Sequence, residues 1–288
     1  MHTTGTSPPP AVKAPAGTAL CPLTWRGRQI TVEYAWVGDR RADSPCMVFL
    51  HEGLGSVAMW RDFPHRLCTA LGWRGLVYSR PGYGQSTPRA PDDHWQSDFL
   101  QQQALEVLPA LLKALGVDGK QQPLWLFGHS DGGSIALIHA AKAHTVGAAA
   151  PAGIVVLAPH VMVEDISVTS IQAARQAYLD TNPQTGLKPR LARYHADPDS
   201  AFWGWNDVWL SDAFRSWDIR PMLHHITGPV LAIQGLDDEY GTLEQIRSIQ
   251  RMTPQTRLLE LPNCGHSPHK DQADAVVNAV ARVVKLPR

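Results

Sequence analysis

Short unbroken apolar runs alternate along the chain with longer stretches whose apolar residues recur every three or four positions. The runs are Cys46–Leu50, Gly75–Ser79, Leu124–Phe127, Ala152–Ala158 and, around Gln234, Pro229–Gly235; Arg257–Leu261 reads as a last strand. Runs of this length without polar alternation predict strands covered on both faces. Before them, Leu23–Trp25 and Ile30–Trp36 alternate around Arg26-Gly27-Arg28, the pattern of a β-hairpin. Helical spacing predicts helices over Trp60–Leu71, Asp98–Leu115 with Gly116 as its stop, Ser134–Ala141, Leu243–Met252 and Asp271–Val284. Strands and helices taken in turn predict an α/β fold: a mostly parallel central sheet with helices on both faces.

The alternation lapses between Val161 and Thr227. Helical stretches replace it at Ser167–Asp180, Leu187–His195, Ser200–Leu210 and Ala213–His225, separated by Asn182-Pro183 and Asp197-Pro198. Residues 161–227 therefore read as a helical lid inserted into one core formed by 21–160 and 228–288. The lid is rich in aromatics, and Trp203, Trp205 and Trp209, with His160 at the end of the preceding strand, are expected to line an apolar substrate pocket. Residues 1–20 carry Pro8, Pro9, Pro10 and Pro15 and no apolar core of a signal peptide, and are expected to be a disordered tail.

Composition narrows the function. Lys plus Arg and Asp plus Glu number 26 each, which gives no broad basic surface for nucleic acid or an anionic membrane. The sequence has no apolar run long enough to span a bilayer. Cys21, Cys46, Cys68 and Cys264 are too scattered for a metal site or a disulfide framework, so buried thiols and a cytoplasmic location are expected. The histidines show no metal-binding spacing, and no dinucleotide fingerprint or phosphate loop is present, so no cofactor or metal is expected and a small-molecule substrate is. Oligomeric state is left open.

The candidate chemistry lies where strands end. Leu124–Phe127 runs into Gly128-His129-Ser130-Asp131-Gly132-Gly133 and then a small, apolar helix start. Strand, sharp turn and helix with a serine at the apex form the setting of a nucleophile elbow. Cys46–Leu50 runs into His51-Glu52-Gly53-Leu54-Gly55-Ser56, where backbone N–H groups of Gly53 or Leu54, with that of Asp131, are placed to hold an oxyanion. A serine needs a base, and the base needs a carboxylate to orient it. Asp237 and Asp238 follow one strand and His266 follows the last, so serine, acid and histidine come in hydrolase order at one sheet edge. Arg80 is expected to brace the Arg80–Ser86 loop.

These pieces together resemble the α/β-hydrolase superfamily from about Thr24 onward, in its lidded, serine esterase-like branch. The matching segments are His51–Gly55, Arg80-Pro81-Gly82-Tyr83-Gly84-Gln85-Ser86, Gly128–Gly133, Gly235–Asp238 and Gly265-His266. The resemblance implies Ser130 as nucleophile, His266 as general base and then acid, and Asp238 rather than Asp237 as the orienting carboxylate. The expected activity is hydrolysis of a carboxylic ester, lactone or thioester of a small apolar or aromatic compound. Carbon–carbon bond hydrolysis of a ring-cleavage product, and a non-catalytic ligand receptor, are the alternatives. One departure stands out: the family's oxyanion loop usually has glycine where this chain has Glu52, and a carboxylate there would repel an oxyanion unless turned away or paired.

Overall fold

The computed structural model describes residues 17–284 except 40, 42 and 91. Eight strands form one sheet: β1 (Thr18–Trp25), β2 (Arg28–Gly38), β3 (Cys46–Leu50), β4 (Arg74–Tyr78), β5 (Leu124–His129), β6 (Gly153–Leu157), β7 (Val230–Gly235) and β8 (Thr256–Leu261). Their spatial order is β1-β2-β4-β3-β5-β6-β7-β8. The β1–β2 hairpin and the β2–β4 pair are antiparallel, and every later pair is parallel.

The central strands alternate their buried side chains between two cores. Val48, Leu50, Leu126 and Val156 face one, and Met47, Phe49, Phe127 and Val155 face the other. A strand walled on both sides has no use for polar residues, which explains the unbroken apolar runs. The second core is closed by α1 (Phe63–Leu71) and, at the chain's end, by a helix over Ala273–Val284. The first lies under α2 (Phe99–Gln102), a π turn over Gln103–Val107, α3 (Leu108–Ala114) and α4 (Asp131–Lys142). The π turn carries the expected helix through without a break, and buried His139 of α4 donates from Nδ1 to the Ala104 carbonyl within it, at 2.8 Å.

Between β6 and β7 lie α5 (Asp165–Leu179), α6 (Leu187–Leu191), α7 (Pro198–Trp209) and 3₁₀ turns at Asp212–Phe214 and Arg220–His225. Helices α8 (Glu244–Met252), α9 (Pro268–Asp271) and α10 (Ala273–Val284) complete the fold.

Local geometry corrects several expected boundaries. The helix expected over Ala213–His225 is two 3₁₀ turns, because Asp218 pairs with Met162 in a bridge, caps the Arg220 N–H, and Pro221 disfavours helical backbone before it. The helix expected from Trp60 is a 3₁₀ turn over Val57–Trp60 followed by α1, the break falling at Arg61 with φ of +53°. Helix α6 stops at Leu191, short of His195, which is recruited elsewhere. Thr18–Leu20, expected in the tail, begin β1, and the remainder of that expected tail lies outside the described residues apart from Gly17.

A buried carboxylate steadies the loop after β4. Glu33 of β2 is almost fully enclosed, and its Oε2 accepts from the Ser79 hydroxyl at 2.6 Å and the Gln85 N–H at 2.9 Å. The Glu33 N–H donates to Ser86 Oγ at 2.8 Å. Glu33→Ala would strand those two buried donors, and a loss of about 2–4 kcal/mol is expected. Urea unfolding checks it: the midpoint falls with an unchanged slope, and an unmoved midpoint refutes the role.

Candidate active site

Ser130 stands between β5 and α4 with φ of +53° and ψ of −120°, a conformation that a side-chain-bearing residue adopts at a cost of about 1–3 kcal/mol. The surroundings enforce it. A Cβ on Gly132 would overlap the Leu50 carbonyl, and one on Gly128 would overlap the Gly132 carbonyl, so strand and helix pass too closely for any side chain. The Ser130 N–H donates to the Leu157 carbonyl at 2.9 Å, and the Ser130 carbonyl accepts from Gly133 N–H at 2.8 Å.

His266 follows β8 and donates from Nδ1 to Asp238 Oδ1 at 2.8 Å. Asp238 also accepts the Tyr240 N–H on Oδ1 at 2.9 Å and Gln234 Nε2 on Oδ2 at 3.0 Å. Burial pushes the Asp238 carboxyl up, but the His266 hydrogen bond and charge with the Tyr240 N–H outweigh it and hold the group below the usual range. Asp237 is exposed, so between the two neighbouring aspartates it is Asp238 that meets the imidazole. The elbow reaches the same place. His129, beside Ser130, donates from Nε2 to the His266 carbonyl at 2.6 Å, with the two rings 5.1 Å apart.

The loop after β3, where oxyanion donors are expected, is oriented through its carbonyls. Arg80 donates to the carbonyls of His51 and Glu52 at 3.2 and 3.1 Å. Its own N–H donates to His51 Nε2 at 3.0 Å, which leaves the His51 proton on Nδ1, aimed at the Glu52 carbonyl at 2.7 Å. A trans peptide points C=O and N–H in opposite directions, so fixing the Glu52 carbonyl towards Arg80 turns the Gly53 N–H away from it. Buried His195 from the insertion accepts the Gly84 N–H on Nδ1 at 2.9 Å and donates from Nε2 to the Leu54 carbonyl at 3.0 Å. Burial brings its pKa down to about 4, which keeps it neutral for this task. Asp131 opens α4, where the first N–H groups have no partner within the helix.

Glu52 keeps its charge without facing it at the site unpaired. Its carboxylate lies 3.6 Å from His129 Nδ1 and 3.8 Å from Lys270 Nζ. Gly55 leaves the room it occupies. Beside the elbow, the fully enclosed Asp131 carboxylate accepts Trp209 Nε1 at 3.1 Å and lies 3.6 Å from Arg80. Burial raises its pKa to about 6 against the pull of Arg80, Trp209 and His266.

Trp205 and Trp209 are four residues apart on α7 and so share one face. The Trp205 indole lies where a Cβ on Gly53 would be, and Trp209 packs on His160 with ring centres 4.9 Å apart. The His160 ring lies 5.9 Å from His266, and burial together with the His266 charge brings its pKa down to about 3, leaving it uncharged. Trp203, expected with these, instead packs against Tyr178 and Phe202 with the Arg175 guanidinium over its ring.

Sequence reasoning missed His195, Gln234 and Tyr240, whose ring lies 4.7 Å from that of His266. Gln234 had a visible signal, since an amide inside the apolar Val230–Gly235 run needs buried partners. His195 had none: its partners, Gly84 and Leu54, are more than a hundred residues away. The four thiols are free and buried. No helix among the described residues is long and apolar enough to cross a membrane.

A sequence model described as "Alpha/beta hydrolase family" matches residues 47–279. No curated protein matches the chain by sequence. Among solved structures, the enol-lactonase from Burkholderia xenovorans LB400 is similar with a TM-score of 0.67 and 22% identity, over 89% of this chain and 97% of that one. The esterase RhEst1 from Rhodococcus sp. ECU1013 gives 0.67 and 19%, over 94% and 100%. The proline iminopeptidase of Mycobacterium smegmatis gives 0.69 and 17%, over 92% and 97%. At these identities the likeness is one of fold.

Proposed function

The chain belongs to the alpha/beta hydrolase family, and from that premise we propose that it is a serine hydrolase of carboxylic esters, lactones or thioesters with a small apolar or aromatic group. The observation that carries this reading is the His266–Asp238 hydrogen bond at 2.8 Å, with the His266 carbonyl held at 2.6 Å by His129, the neighbour of the strained Ser130. The neighbours named as an enol-lactonase and an esterase are compatible with it and do not choose between bond types.

In the proposed reaction, Ser130 Oγ attacks the substrate carbonyl while His266 Nε2 takes its proton. The N–H groups of Gly53 and Asp131 receive the tetrahedral oxyanion, with Leu54 N–H as the alternative donor. Collapse expels the alcohol or thiol, which takes the proton back from His266. Water then attacks the acyl-enzyme, giving its proton to His266, and the acid leaves as Ser130 is restored. Asp238 holds the Nδ1–H tautomer and balances the imidazolium that forms in each half-reaction.

The insertion at 161–227 is proposed as the lid, with Trp205, Trp209 and His160 around the acyl or leaving group. Asp131 and Arg80 are buried and lie 3.6 Å from each other, which leaves neither free to pair with a charged substrate and favours a neutral one. Four buried free thiols suit a reducing compartment, and a cytoplasmic location is part of the same proposal.

A fluorophosphonate probe, followed by turnover of aryl esters, alkyl esters, lactones, thioesters and a vinylogous diketone, tests the reading. Labelling at Ser130 with fastest turnover of an aryl or apolar ester or lactone is expected. Turnover of the diketone alone would move the protein to carbon–carbon hydrolysis, and labelling without any turnover to a ligand receptor.

A further inference from the structure

Under the elbow lies a second carboxylate–histidine contact that the reaction above does not use. His129 is almost wholly enclosed and sends Nε2 to the His266 carbonyl at 2.6 Å. A carbonyl oxygen only accepts, so Nε2 carries a proton. The other nitrogen, Nδ1, is buried without a hydrogen bond and faces Glu52 Oε2 at 3.6 Å. A neutral ring with its proton on Nε2 would set two acceptors against each other there. A second proton on Nδ1 would turn this opposition into a charge-assisted contact with Glu52.

Burial, with the His266 charge beside it, lowers the His129 pKa, and the Glu52 carboxylate pulls the other way without reversing it. Burial likewise opposes the Glu52 charge, yet His129, Lys270 and His51 hold the carboxyl well below its usual range. The remaining faces of the His129 ring meet His269 at 4.8 Å, His266 at 5.1 Å and Trp60 at 6.4 Å between ring centres. The contact therefore runs from the oxyanion loop, through the residue beside the nucleophile, to the main chain of the base.

We propose that His129, braced by Glu52, is a positioning residue for His266: it fixes the backbone of the base while Asp238 fixes the ring. This rests on the serine hydrolase reading. It gives Glu52, the residue that departs from the family's usual glycine, a task that glycine cannot perform. The His266 N–H also donates to Glu239 Oε2 at 3.2 Å, but that contact is exposed, so His129 supplies the buried hold on this main chain. Displacement of a reacting group by about 1 Å can cost on the order of 10²-fold in rate.

The test compares wild type, H129L, H129Q, E52Q and Ser130→Ala. The readouts are the rate of fluorophosphonate labelling, kcat and KM for p-nitrophenyl acetate, and the thermal midpoint. Leucine removes the donor, whereas glutamine restores a donor to the His266 carbonyl without a titrating ring. The expected result is a fall of about 10–100-fold in labelling rate and kcat for H129L with KM little changed. H129Q recovers most of that loss, and E52Q loses about tenfold in kcat. A folded H129L within twofold of wild type overturns the inference, as does an H129Q no better than H129L. Should H129L fail to fold, E52Q decides, and a wild-type kcat there overturns it. Ser130→Ala separates the two levels: continued labelling or turnover sinks the serine hydrolase reading itself, whereas a silent Ser130→Ala beside an unaffected H129L sinks the positioning role alone.

Discussion

Ser130→Ala removes hydrolysis of whichever ester the wild-type protein turns over fastest, lowering kcat by on the order of 10⁴–10⁶-fold. The size of the effect follows from what alanine deletes. The hydroxyl oxygen is the atom that would bond to the substrate, so no partial function survives at that position. The loop that carries the proposed oxyanion donors is held by neighbours that the substitution leaves untouched: Arg80 on the Glu52 carbonyl and His195 on the Leu54 carbonyl. The variant is therefore expected to fold with the backbone strain unchanged, since alanine still occupies φ of +53°. Active-site titration with a fluorophosphonate beside initial rates checks this, with mass spectrometry of the elbow peptide locating the label. Rates within a few-fold of wild type would end the nucleophile assignment.

Asp238→Asn is expected to lower kcat by on the order of 10⁴-fold while leaving the serine in place. All three partners of the Asp238 carboxylate are donors: His266 Nδ1, the Tyr240 N–H and Gln234 Nε2. Asparagine offers one acceptor oxygen to this set. Whichever way its amide turns, a donor meets a donor, and Gln234 cannot flip to compensate because its Nε2 also donates to the Gly241 carbonyl at 2.8 Å. The neutral imidazole then loses the acceptor that fixes its tautomer, and the imidazolium of the proposed transition state loses its balancing charge. A stability signature accompanies the kinetic one. Because the folded-state carboxyl lies below its usual range, its pairing contributes fully above the unfolded value of about 4 and is lost as pH falls through the lower folded value. The variant should lack that part of the acid-side loss, which thermal unfolding across acidic pH measures. A variant with wild-type kcat would show that another carboxylate orients the base.

The resting arrangement bears on how substrate reaches the serine. Trp205 lies against Gly53, and Trp209 is tied to Asp131, so α7 meets both elements from which oxyanion donors are proposed. His195 holds the insertion to the same loop. These contacts couple the helical insertion to the oxyanion loop directly, and a change in one is expected to be read in the other's kinetics.

The sheet and its crossovers were legible from periodicity alone, because a strand buried on both faces must be apolar throughout and a helix covering it must be apolar on one side. Cys46–Leu50 falls at the expected boundaries for this reason. The elbow was legible too, since Gly128 and Gly132 report a backbone crossing too tight for a Cβ. Periodicity failed between Ala213 and His225, where the apolar spacing resembled a helix but the bridge from Asp218 to Met162 fixed an irregular path. The sequence by itself determined which residue types stand at the strand ends, and hence the family and the class of chemistry. The resemblance already picked Asp238 over Asp237, and the hydrogen bond to His266 agrees with it; only the tertiary structure decided that Glu52 pairs with His129 and Lys270, and that Trp203 packs within the insertion while Trp205 lies on Gly53. Those outcomes depend on side-chain direction and on contacts between segments far apart in the chain, and neither leaves a local trace in residue order.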